Sequence, residues 1–100
     1  MKSGYKLFWT DHALDQLSQT VLYLEENFTE REIQKLADRI EIVLRLVSEN
    51  PRLFQESDYL KGVRRALVTK NNSLYYRVTD NRIEILSFFS NRQDPEKLKP

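Results

Sequence analysis

The chain has 100 residues, 40% of them hydrophobic and 31% charged, with two Gly, three Pro and no Cys. That composition fits one compact domain and excludes disordered, fibrous and disulfide-stapled classes. Net charge is +1, yet residues 1–50 carry six Lys/Arg against nine Asp/Glu and residues 51–100 carry ten against six, so an acidic front half precedes a basic back half. With one His and no Cys, a zinc site of the common kinds is ruled out, and neither metal nor cofactor is expected. The segment Met1-Lys2-Ser3-Gly4 has no apolar signal core and no run approaches a membrane span, so the cytoplasm is the expected compartment.

Tyr5 to Thr10 is short and aromatic, which suits a strand that pairs within a sheet. Thr10 or Asp11 then caps a helix ending near Asn27, whose Leu14, Leu17, Val21, Leu24 and Phe28 recur at the spacing of one buried face. Thr29-Glu30-Arg31-Glu32 has the form of a capping box and opens a second helix. Its stripe is Ile33, Leu36, Ile40, Val43, Leu44 and Val47, and Asn50-Pro51 stops it because proline cannot continue the backbone ladder. The short connection makes an antiparallel helical hairpin, and Ile42 and Leu46 widen its apolar surface.

Residues 52–61 show no period and read as a loop. Three strands follow, at 63–70, 73–78 and 83–89, separated by the turn-prone Asn71-Asn72 and Asp80-Asn81. The chain therefore reads as one α+β domain over residues 1–100, ordered β-α-α-β-β-β, with the helical hairpin on one side of a small antiparallel sheet. Residues 91–100 are polar and hold one short helical turn at most.

From Lys61 to Thr79 there are five cations, Lys61, Arg64, Arg65, Lys70 and Arg77, and no acid, which marks the contact surface for an anionic partner. Arg64, Arg65, Lys70, Arg77 and Arg92 are the binding candidates, for nucleic acid or an acidic peptide, against the plainer reading of a solvated sheet edge. On a strand Arg64 and Arg65 point to opposite faces, and one of them is expected to pair with a carboxylate. Tyr76 reads as core, while Tyr75 reads as a sheet residue or a stacking platform for a base. His12 reads as a surface residue of the first helix, and Glu56 and Asp58 as solvated loop acids that could also serve as a base.

Gly62-Val63-Arg64-Arg65, Leu74-Tyr75-Tyr76-Arg77-Val78, Ile83-Glu84-Ile85-Leu86 and Asn91-Arg92-Gln93-Asp94-Pro95 together resemble the C-terminal half of the RelE/ParE toxin superfamily, closest to its ParE-like, plasmid-stabilisation branch. The resemblance implies the toxin of a type II toxin–antitoxin pair, a growth inhibitor neutralised by a cognate antitoxin in a hetero-oligomer. For that antitoxin an acidic or amphipathic C-terminal segment is expected, to complement residues 61–77.

ParE-like members are associated with DNA gyrase, whereas RelE-like members cleave mRNA on the ribosome, with Arg64 and Arg92 at comparable places here. Where nucleolytic relatives carry a histidine before the terminal arginine, this sequence has Ser90-Asn91; no tyrosine follows Arg92, and Ser73 stands where a middle-strand arginine would be. These departures favour a toxin that binds a target such as gyrase over an endonuclease. A subunit that has lost toxicity and only binds antitoxin is the third reading.

Overall fold

The computed structural model describes residues 5–58 and 60–90. The elements run β1 (Lys6–Trp9), α1 (Asp11–Asn27), α2 (Glu30–Glu49), β2 (Val63–Thr69), β3 (Asn72–Thr79) and β4 (Arg82–Ser90), in the expected order. The C-terminal segment after Ser90, with Arg92, lies outside the described residues.

The sheet is mixed, in the order β1-β4-β3-β2. The last three strands form the expected antiparallel meander, but β1 runs parallel to β4, Lys6 opposite Arg82 and Trp9 opposite Ile85. The correction has a simple cause: the helical hairpin brings the chain back to the starting end of β1, where the Tyr5 amide donates to the Ser48 carbonyl, so β2 sets out in the direction of β1 and β4, two antiparallel turns later, runs that way again. At the outer edge of β2, Gln55 and Ser57 of the preceding loop pair with Arg65 and Val63, which covers part of an otherwise open edge.

Thr10 does two jobs at the start of α1. Its Oγ1 accepts from the Ala13 amide at 3.2 Å, and its hydroxyl donates to the Ile85 carbonyl at 2.9 Å, so the helix cap also fixes the helix to β4. α2 begins and ends as expected, but the Thr29 side chain makes no capping bond.

The helical stripe of α1 is not the one that spacing predicts. Ala13, Thr20 and Leu24 are buried, while Leu14 and Phe28 stay exposed and Leu17 and Val21 are half-buried. Small side chains on the sheet side let α1 lie close on β4, which pushes the larger aliphatics toward the groove between the two helices. On α2, Leu36, Val43 and Val47 are buried, and Arg39 Nε donates to the Val68 carbonyl at 3.1 Å, fastening the helix to β2.

The core lies between helices and sheet, where Ala66, Val68, Leu74, Tyr76, Ile83, Ile85 and Phe88 are nearly or wholly without solvent contact. The β3–β4 register shifts between Tyr75 and Tyr76, which pair with Ser87 and Ile85 and leave Leu86 bulged. Because of that one extra residue, Phe88 rather than Phe89 turns into the core opposite Leu74. Beyond the end of β1, Gln16 of α1 meets β4, its Oε1 accepting from the Phe88 amide at 2.8 Å and the Ser87 hydroxyl at 2.9 Å. No helix among the described residues is long and apolar enough to cross a membrane.

Candidate functional site

Strand alternation puts the side chains between the core residues on the sheet face that no helix covers. Cross-strand pairing lines them up in rows: Val63, Arg77, Glu84 and Phe8 in one, Arg65 and Tyr75 in the next, Leu67, Ser73 and Phe89 in the third. Leu67, Phe89 and Phe8 are 51%, 45% and 49% exposed, so this open face combines apolar area with cations.

Its charges are partly tied. Glu84 accepts from Arg77 and from Arg82, each at 2.9 Å, and the Arg82 guanidinium also sits 5.0 Å from the centre of the Phe8 ring. The bond from Arg77, supported by that from Arg82, holds the Glu84 carboxyl below the usual carboxylate range. The stability this adds is present above the ordinary carboxylate pKa and is lost as pH falls through the lowered one. Two arginines on one carboxylate leave a positive excess, and Arg65 is exposed with no ion pair among the described residues.

Arg64 lies on the opposite, helix-facing side with its cross-strand partner Tyr76. It lines a cleft of about 190 Å³ with Tyr5, Pro51, Arg52, Glu56, Gly62 and Val78. Its Nη1 donates to the Phe54 carbonyl at 2.6 Å, and Glu56 Oε2 accepts from the Gly62 amide at 2.7 Å. Gly62 holds a left-handed φ of 78°, which reserves the position for glycine although the space beside it is open.

Behind the cleft the Tyr76 hydroxyl donates to the Pro51 carbonyl at 2.6 Å. Burial pushes its phenol up to about 12, with Arg64 pulling the other way. Its contribution to stability is therefore complete below about pH 10 and is lost as pH rises toward about 12, worth about 3 kcal/mol at 1.36 per unit. Urea melts should show a midpoint that falls over that range. Tyr76→Phe should flatten the fall and cost about 1–2 kcal/mol at neutral pH, because the Pro51 carbonyl loses its donor.

The five cations singled out from sequence thus do not share one surface. Arg65 and Arg77 stand on the open face, Arg64 in the cleft behind it, Lys70 at the β2–β3 turn, and Arg92 outside the described residues. The expected carboxylate partner for Arg64 or Arg65 is not found among the described residues; Arg77 has one instead. Sequence reasoning missed Arg82 and Arg52. Yet the Asp80-Asn81 turn, with Thr79 opposite Arg82, already fixes Arg77 opposite Glu84, so half of that cluster was legible. His12 is exposed in the first turn of α1, on another element from Arg64. Among the described residues no group of three or more His, Cys, Asp or Glu side chains is placed to hold a metal ion.

Comparison with known proteins agrees with this architecture. The chromosomal ParDE toxin–antitoxin system of P. aeruginosa superposes with a TM-score of 0.71 at 22% identity, over 89% of this chain and 98% of that one. A YoeB/ParE toxin from Agrobacterium tumefaciens gives 0.64 at 16% identity, over 85% and 96%, and the E. coli DinJ–YafQ complex 0.56 at 13%, over 89% and 96%. A search of curated proteins gives no match. Two helices on a four-stranded mixed sheet are therefore the fold of these toxins. A family model for the ParE toxin of type II toxin–antitoxin systems, parDE, matches residues 7–95, nearly the whole chain, and the chain belongs to that family.

Proposed function

We propose that the chain acts as a single toxin domain that binds and blocks a large bacterial target, with DNA gyrase the first candidate, through the open face of its sheet. The observation that carries this reading is the face itself, where exposed Arg65 stands beside Tyr75, the Arg77–Glu84–Arg82 cluster and the uncovered Leu67 and Phe89. Apolar area with a cationic surround is what a protein contact needs, whereas cleavage of RNA needs an acid and a base beside the phosphate. The only imidazole, His12, is not among the residues that line the Arg64 cleft.

A supercoiling assay with purified toxin tests the reading. Inhibition of gyrase is the expected result, and full supercoiling at saturating toxin would overturn it. One observation favours the rival, a ribosome-dependent mRNA endonuclease: Arg64, Arg52 and Glu56 line one cleft, two cations and a carboxylate that could serve as base. Mapping transcript 5′ ends after induction separates the two, since only the endonuclease leaves cuts positioned on codons.

Neutralisation by a cognate antitoxin in a cytoplasmic hetero-oligomer belongs to the same proposal. It is supported by relatives that are themselves toxin–antitoxin complexes and by an apolar groove of about 360 Å³ between α1 and α2, lined by Leu17, Val21, Ile33, Leu36, Ile40 and Leu44. An antitoxin segment apolar across that groove and acidic across the sheet face complements both surfaces.

A further inference from the structure

A second polar pocket lies at the opposite end of the molecule from the Arg64 cleft, where the β2–β3 turn and the end of β4 meet the helical hairpin. It has a volume of about 170 Å³; Leu24 and Leu36 give it apolar wall, and Glu32, Lys35, Lys70, Asn72 and Ser90 give it polar groups. Two buried polar atoms here, Asn72 Oδ1 and Ser90 Oγ, have no hydrogen-bond partner. Asn72 is only 6% exposed, so its amide is held in place rather than solvated. A buried polar group without a partner costs roughly 1–3 kcal/mol, so a ligand that pairs with both atoms would be stabilised here.

The hydrogen bonds around Asn72 say what kind of ligand that is. Its Nδ2 lies 2.7 Å from Thr69 Oγ1, which also accepts from the Asn71 amide at 3.2 Å. In that arrangement Thr69 accepts twice and its own proton is unused. Turning the Asn72 amide over lets the Thr69 hydroxyl donate to Oδ1, satisfies both groups, and presents the two N–H bonds of Nδ2 where the orphaned oxygen stood. The lining is then rich in donors, with the Asn72 amide, the Ser90 hydroxyl and the cationic residues Lys35 and Lys70 against Glu32 as the one acid. The remaining hydroxyl of the lining that could compete, Thr20, already donates to the Gln16 carbonyl at 3.0 Å.

We propose that this pocket is an oxyanion site that takes a carboxylate or phosphate group. Its volume is room for about six waters, at roughly 30 Å³ each, and so for one such group with part of its hydration. Apolar Leu24 and Leu36 lower the local dielectric and strengthen the charge-assisted bonds. Asn72 Oδ1 and Ser90 Oγ are shut from solvent as the side chains stand, so the anion enters as the exposed side chain of Lys35 or Lys70 swings aside and then closes over it. Occupied, the site joins the β2–β3 turn to both helices. It lies on the helix side of the sheet, so its fate and that of the open-face reading are independent.

Chemical-shift titration of the isotope-labelled full chain tests the site, using sodium phosphate and sodium acetate against sodium chloride at matched ionic strength. The expected result is saturable movement of the Asn72 side-chain N–H pair and of the 70–72 amides at millimolar oxyanion. Lys70→Gln should weaken binding about tenfold and Ser90→Ala a few-fold, both with unchanged melting, while Lys61→Gln on the basic loop leaves it as it was. Stronger binding of phosphate assigns the site to a phosphate-bearing ligand, and equal or stronger binding of acetate to an acidic side chain or chain terminus. Chloride moving the Asn72 resonances as far as either oxyanion, an unsaturable response, or indifference to Lys70→Gln would leave the pocket a water site and overturn the proposal.

Discussion

Toxin carrying Arg65→Glu with Arg77→Gln should lose growth arrest, with survivors on induction rising by about two orders of magnitude and target inhibition weakening by a similar factor. Both side chains are exposed and neither holds the core, while Glu84 keeps Arg82 as its partner at 2.9 Å when Arg77 is changed, so the fold should survive. The pair removes three units of positive charge from one face. At about 1.4 kcal/mol, or tenfold, for each contact of this kind, two contacts account for about a hundredfold. Equal melting curves for variant and parent confine the effect to contacts of the open face, as opposed to the fold. Full toxicity at equal expression would show that the open face is not the working surface. Arg64→Gln is the informative contrast: it should spare toxicity if the open face acts and abolish it if the cleft cleaves RNA.

Phe88→Ala should cost about 3–5 kcal/mol, a large share of the roughly 5–15 kcal/mol that holds a domain of this size together. Phe88 is 1% exposed and faces Leu74 beneath the helices, so the substitution leaves a cavity that rigid neighbours cannot fill. The adjacent Phe89→Ala, at a side chain 45% exposed on the open face, should change stability by less than about 1 kcal/mol. Denaturation in urea measures both, and the contrast tests the bulge at Leu86 directly. Without the bulge, alternation from Ile83 and Ile85 would bury position 89 and expose position 88, and the two costs would exchange.

Those two phenylalanines mark where sequence reasoning ends. Periodicity located both helices and proline ended the second, because a helix stop and a helical stripe are local properties of the chain. The three late strands were legible for the same reason, their turns being written in Asn and Asp. The parallel partner of β1 was not, since a pairing between Lys6 and Arg82 leaves no local trace. Nor was the burial of Ala13 and Thr20 in place of Leu14, which depends on how closely α1 approaches the sheet. At the site, each strand showed its cations, but which face they share follows from register, and the bond from Arg64 to the Phe54 carbonyl follows from a loop without pattern.

The parallel seam between β1 and β4 also sets a clock. Positions 6 and 82 are 76 residues apart, and at ribosomal speeds of 5–20 residues per second the later strand follows the earlier by about 4–15 s. For the last part of it, the 33 residues from Glu49 to Arg82 or about 2–7 s, both helices have been made while the sheet they rest on still lacks β4, so the nascent protein shows its hairpin before it can assemble the face that Arg77, Glu84 and Arg82 build. A neutralising partner that first grips the hairpin therefore has several seconds' start on the poison.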